Sequence, residues 1–159
     1  MDLLGLVIAI CGGAMAVFLC GVGSAVGVGL AGQAANGVLS ENPERFGNML
    51  LLVALPGTQG IYGFASGFLV IMRLGLLTQE PIYPTVLQGW QIFGSCLPIA
   101  ISGLVSAIHQ GKVCAAGIAV SAKHPEATMR ALTYAAVVEL YAALGLIITV
   151  LLLLPGLRL

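Results

Sequence analysis

Charge is what this chain has least of. No Asp, Glu, Lys or Arg lies between Leu3 and Ser40, between Phe46 and Met72, or between Pro81 and Gly111. After Arg130 the only charged side chain before Arg158 is Glu139. Charged residues make up 8% of the 159 positions, against roughly 25% in a soluble domain, so an ordinary water-solvated surface is excluded. Each uncharged stretch, with tapered ends, exceeds the ~20 residues that cross ~30 Å of hydrocarbon. The chain therefore reads as an all-α membrane protein with four transmembrane helices, at about 3–35, 46–72, 88–120 and 127–154.

Other absences narrow the function. Six basic and six acidic residues cancel, which argues against a nucleic-acid partner. The N-terminus MDLLGLVIAI has no basic segment before its apolar run, so it reads as a first membrane helix rather than a cleaved leader. Cys11, Cys20, Cys96 and Cys114 fall inside expected helices without CxxC spacing, as packing residues would. No N-x-S/T sequon occurs. Gly111-Lys112 lacks the upstream glycine and the following Ser or Thr of a phosphate loop, so nucleotide binding and an organic cofactor are not expected. No His, Cys and carboxylate cluster suggests a transition metal.

What is abundant is glycine, at 22 residues, and it is patterned. Two polar linkers, SENPERF and AKHPEAT, share a Pro-Glu pair ahead of the next apolar run. Shifting the second half back by the Pro43-to-Pro125 interval places Gly103 on Gly21, Ser106 on Ser24, Gly111 on Gly29 and Gly145 on Gly63. The chain reads as a duplicated helical hairpin, residues 1–80 and 81–159, with both copies pointing the same way. Small residues recur in the first helix of each copy, in CGVGSAVGVGLAG and GKVCAAG. Such faces let helix backbones approach closely; they fit tight packing within one four-helix bundle, while glycine on so much of the first helix favours a concentric assembly with these helices in the inner layer.

Glu139, in YAAVVELYAALGL, stands about twelve residues into the fourth helix, roughly 18 Å from its start and near the midplane. An ionisable group there costs at least ~2.5–3.5 kcal/mol, so a function and a partner are expected. At similar depth the second helix is interrupted by LPGTQGIYG. Pro56 cannot donate to the carbonyl of Leu52, and with Gly57 and Gly60 beside it the carbonyls from Leu52 to Leu55 are free to tilt. Such backbone is tolerated at membrane depth where it lines a protein site. Thr58, Gln59 and, in the third helix, Gln110 add a hydroxyl and two amides, with Tyr62 one turn beyond. One carboxylate among several neutral oxygens suits a hard monovalent cation such as Na+. H+ needs only the carboxylate and is the alternative. Lys112 is expected near a helix end or in a wet interior, and neither His109 nor His124 is assigned a proton relay.

LPGTQGIYGF, IHQGKVCAAGI, KHPE and AAVVELYA, in this order, resemble the four-helix proteolipid rotor-ring subunits, c or K, of V-type ATPases, especially the bacterial sodium-pumping type. The resemblance covers essentially the whole chain. It implies a Na+ ligand set of Leu55 (through its carbonyl), Thr58, Gln59, Gln110 and Glu139, locked by Tyr62 and by the break at Pro56. His109 replaces a small residue common at that place. The resemblance further implies a ring of identical copies in the bilayer, turning against a stator membrane subunit, with the polar loops meeting central-stalk subunits. ATP hydrolysis would lie on other subunits, so the chain itself would be no enzyme. The location implied is the bacterial plasma membrane, as a multi-pass protein. Arg45, Lys123 and Arg130 on the loop side agree weakly with a cytoplasmic placement, against Arg73 and Arg158 opposite. A small non-rotary transporter or channel is the reading from a different class.

Overall fold

The computed structural model describes residues 3–78 and 81–154; Arg158 lies outside them. Among the described residues the structure is helical: α1 (Leu3–Leu39), α2 (Phe46–Ala54), α3 (Thr58–Arg73), α4 (Val86–Lys123) and α5 (Thr128–Leu153). Short 3-10 turns at Pro43–Arg45, Leu55–Gly57 and Pro125–Ala127 precede α2, join α2 to α3 and precede α5. Among the described residues four stretches are long and apolar enough to cross a membrane: Leu3–Leu39, Pro43–Arg73, Val86–Lys123 and Pro125–Leu153. We call α1 to α3 the first hairpin, and α4 with α5 the second.

Two spans are longer than the sequence suggests. Missing charge marks the lipid-facing part of a helix, whereas the helix itself continues until its hydrogen bonds stop. At 1.5 Å per residue the 37 residues of α1 reach about 55 Å, well beyond the hydrocarbon core. α4 starts at a capping box, in which Thr85 Oγ1 accepts from the Gln88 N–H and Gln88 Oε1 accepts from the Thr85 N–H. Because α4 continues to Lys123, Lys112 is exposed about three turns inside the helix rather than at its end.

Glycine contacts fix how the hairpins pack. A Cβ on Gly12 would lie 2.6 Å from Phe93 Cα, and one on Gly23 would lie 2.8 Å from Leu104 Cα. Further along, Gly27 meets the Ala107 carbonyl and Gly111. The paired numbers rise together, so α1 and α4 run parallel and touch through their backbones. Within each hairpin the contacts recur. Gly63 packs on Cys20 and the Ala16 carbonyl, and Gly145 packs on Ser102 and the Pro98 carbonyl. Every residue of the second set follows its counterpart by the Pro43-to-Pro125 interval.

Arginines tie the ends. The Arg45 guanidinium donates to the Ser121 and Ala122 carbonyls at 2.9 and 2.5 Å, in the last turn of α4. At the opposite end Arg73 donates to the Leu154 carbonyl at 2.8 Å. Both cations sit where a helix presents its negative end and its orphan carbonyls. Cys20, Cys96 and Cys114 are buried and Cys11 is exposed, all four as free thiols.

Candidate functional site

The break in the second span is tight rather than open. The Leu55 N–H still donates to the Leu51 carbonyl, so the helix reaches Leu55 before Pro56 shortens the next turn to 3-10. The Leu55 carbonyl accepts from the Thr58 N–H and from Thr58 Oγ1 at 2.9 Å. The expected tilt of carbonyls from Leu52 onward is thus confined to one turn, whose spare donor is supplied by a threonine. Pro56 is buried, and a Cβ on Gly27 would meet its own Cβ at 2.9 Å. Proline and glycine thereby bring α1 against the break.

This geometry aims Gln59 inward. Its side chain is fully buried, as is that of Gln110, so each amide must find partners within the protein. Gln59 Nε2 donates to Gln110 Oε1 at 2.6 Å and to Ser106 Oγ at 3.3 Å, while Gln59 Oε1 lies 3.4 Å from Thr58 Oγ1. Gln110 Nε2 donates to the Ala135 carbonyl at 2.9 Å and, more weakly, to Glu139 Oε2 at 3.4 Å. Tyr62 O–H donates to Glu139 Oε1 at 2.7 Å, a short, full-strength hydrogen bond.

The six side chains and one carbonyl expected from sequence therefore meet at one place. Leu55, Thr58, Gln59 and Tyr62 come from the first hairpin, Gln110 and Glu139 from the second, and Pro56 shapes the turn beneath. Glu139 is half-buried rather than enclosed. Its two carboxylate oxygens accept from α3, through Tyr62, and from α4, through Gln110.

Three participants escape sequence reasoning. Ser106 Oγ, besides accepting from Gln59, donates to the Val138 carbonyl at 3.0 Å, one residue before Glu139. Ser24 Oγ accepts from the Gly60 N–H at 2.8 Å, steadying the helix just after Gln59. The Ala135 carbonyl holds the Gln110 amide. Ser24 and Ser106 do carry a signal, since they coincide in the internal repeat, but a repeated serine among glycines reads as packing. A backbone carbonyl leaves no trace in sequence.

Comparisons with known proteins give the family. The family model for the ATP synthase C subunit matches twice, over residues 11–70 and 93–152, two windows separated by the same interval as Pro43 and Pro125. The K subunit of the V-type sodium ATPase of Enterococcus hirae is 47% identical over 150 residues, covering 94% of this chain and 92% of that protein. The K subunit of the A-type ATP synthase of Methanocaldococcus jannaschii is 34% identical over 93% of this chain and 62% of its own length. The 16 kDa proteolipid of the V-type proton ATPase of Nephrops norvegicus is 27% identical over 87% of this chain and 85% of its own length. With both halves matched and a relative this similar over nearly its full length, the chain belongs to the ATP synthase C-subunit family.

Proposed function

We propose that this chain is a membrane rotor-ring subunit of a V-type ATPase and that its cargo is Na+, held at Glu139 together with Leu55, Thr58, Gln59 and Gln110. The observation that carries the reading is the Glu139 carboxylate, fixed at 2.7 Å by Tyr62 and reached by Gln110, beside an amide and a hydroxyl that α3 projects from the break at Pro56. The printed name of the Enterococcus hirae relative, part of a sodium ATPase, supports the choice of ion.

The chemistry follows from how these groups spend their donors. An amide offers a cation only its oxygen, and the N–H groups of both glutamines already go to protein oxygens. Gln59 Oε1, Thr58 Oγ1 and the Leu55 carbonyl already cluster on one side of the Gln59–Gln110 pair. Glu139 supplies the one negative charge that a monovalent cation neutralises, so the loaded site crosses the bilayer without net charge. Tyr62 keeps the carboxylate turned towards the amides. Unloading then requires this bond to yield, which a cation on a stator subunit would bring about by competing for Glu139.

In this reading identical copies form the ring, the two polar loops face the cytoplasm and the central stalk, and ATP hydrolysis takes place on other subunits. The location is the bacterial plasma membrane. The two hairpins, residues 1–80 and 81–159, are the copies of one ancestral unit.

The test is carbodiimide labelling of Glu139 in membranes at fixed pH. Millimolar Na+ is expected to slow the labelling. Labelling indifferent to Na+ assigns the cargo as H+, and a discrete small oligomer without a co-purifying ATPase means a non-rotary transporter.

A further inference from the structure

The break at Pro56 leaves Gln59 on a weakened piece of backbone. Pro56 has no N–H to give the Leu52 carbonyl, and α3 starts afresh at Thr58 with no side-chain cap from Gly57. The first N–H groups of a helix have no partner within it. One of them, on Gly60, the third residue of α3, donates at 2.8 Å to Ser24 Oγ on α1. The N-terminal cap that Gly57 cannot provide is thus supplied by another helix. Glycine at position 60 keeps the approach open, since a Cβ there would press on the serine oxygen at 3.2 Å.

The side chain of Gln59 is fixed from a third helix. A hydroxyl has one proton, and Ser106 Oγ on α4 gives its own to the Val138 carbonyl at 3.0 Å. The serine therefore meets Gln59 with a lone pair, accepting from Nε2 at 3.3 Å. The second N–H of Gln59 goes to Gln110 Oε1, and the Gln110 nitrogen is claimed by the Ala135 carbonyl. Two backbone carbonyls of α5, which can only accept, thus dictate which way both amides point. Gln59 is left one orientation, with nitrogen towards Ser106 and Gln110 and oxygen towards Thr58. Ser24 and Ser106 are both buried, and they occupy equivalent places in the internal repeat.

We propose that Ser24 and Ser106 are positioning residues of the cation site, a clamp that holds the Gln59 oxygen in place through its backbone and its amide nitrogen. Neither hydroxyl is a ligand; each acts through Gln59. The inference rests on the Na+ reading above and adds the means by which the site keeps its size. Preorganised ligands bind tightly because little ordering is left to do. Without Ser106, Gln59 is tethered by one N–H, free to swing about Gln110 and carry its oxygen off the cation. A smaller ion gains from that freedom part of what Na+ loses, because oxygens that can close in fit Li+ better.

Protection of Glu139 from carbodiimide by Na+ and by Li+, in membranes holding the intact complex, tests the clamp. Ser106→Ala is expected to raise the Na+ concentration for half-protection about tenfold, and Ser24→Ala about threefold. The rise for Li+ is expected to be smaller, so the preference for Na+ over Li+ narrows. Labelling without either ion is expected to keep its wild-type rate, because the Tyr62–Glu139 bond is untouched. Ser95 Oγ donates to the Gln91 carbonyl of its own helix, and Ser95→Ala is expected to shift nothing. Should Ser106→Ala fail to accumulate, Ser106→Cys keeps the shape with a poorer acceptor and is expected to shift in the same direction. Serine variants protected at wild-type concentrations, beside a protected wild type, overturn the clamp alone. Equal rises for Na+ and Li+ also overturn it, since a general loosening of the bundle gives that result. Wild-type labelling that ignores Na+ overturns the ion reading and the clamp with it.

Discussion

Tyr62 and Glu139 meet at 2.7 Å across the junction between the two hairpins, the tyrosine on α3 donating to the carboxylate on α5. The bond ties the one carboxylate of α5 to the helix that begins at the Pro56 break. Hydrogen bonds to charged groups contribute about 1.5–3 kcal/mol, and 1.4 kcal/mol is tenfold in affinity. Tyr62→Phe keeps the ring and loses the donor. The Na+ concentration giving half-protection of Glu139 from carbodiimide is expected to rise at least about tenfold, with labelling without Na+ becoming faster.

Glu139→Gln separates charge from shape. Glutamine keeps an oxygen for Tyr62 and a similar volume, so the ring is expected to assemble and to run at its normal position on a detergent gel. ATP-driven Na+ uptake into vesicles is expected to fall to background, because an uncharged site cannot neutralise the cation. Residual coupled uptake would remove Glu139 from the carrier role.

Gln110 joins three elements, accepting from Gln59 and donating to the Ala135 carbonyl and to Glu139. Gln110→Leu fills the space but takes the Oε1 acceptor away from the fully buried Gln59 amide, at a cost of about 1–3 kcal/mol. A lower dissociation temperature of the ring is expected together with loss of Na+ protection. Thr58→Ala removes the hydroxyl at the rim of the cluster and is expected to weaken protection with a smaller thermal effect.

Close approach of α1 and α4 makes glycine substitution a test of packing. A Cβ on Gly111 would fall 2.7 Å from the Gly27 carbonyl carbon, while one on Gly37 meets nothing within 4 Å. Gly111→Ala is expected to cost about 1–3 kcal/mol by overpacking, seen as a lower thermal midpoint of the purified ring. Gly37→Ala is expected to be neutral or to stabilise by roughly 0.5–1 kcal/mol through helix propensity.

Much of this was legible in the sequence, for physical reasons that differ by residue. The spans were visible because lipid excludes charge, and Glu139 stood out because the same exclusion makes a lone acid conspicuous. Pro56 marked the break, since a missing N–H has only one consequence inside a helix. Thr58, Gln59 and Gln110 were identified by their depth and by the family resemblance. Ser106 and the Ala135 carbonyl were not, because their part depends on which helix face lies opposite, a tertiary fact that no local pattern encodes. The confinement of the break to one 3-10 turn depended likewise on where the Thr58 hydroxyl points. The ends of α1 and α4 were misjudged for a simpler reason: a helix does not end where the oil does.

Gly57 occupies in the first hairpin the place that Glu139 holds in the second, and a Cβ there would meet only Val28 Cγ2, at 3.7 Å. On the proposed function, half of the wheel turns with no seat for a passenger, and each full revolution would deliver one ion for every four crossings of the membrane by the chain, half of what a carboxylate in each hairpin would allow. A machine of that kind is low-geared, carrying fewer ions in each turn and able to push each of them up a steeper gradient.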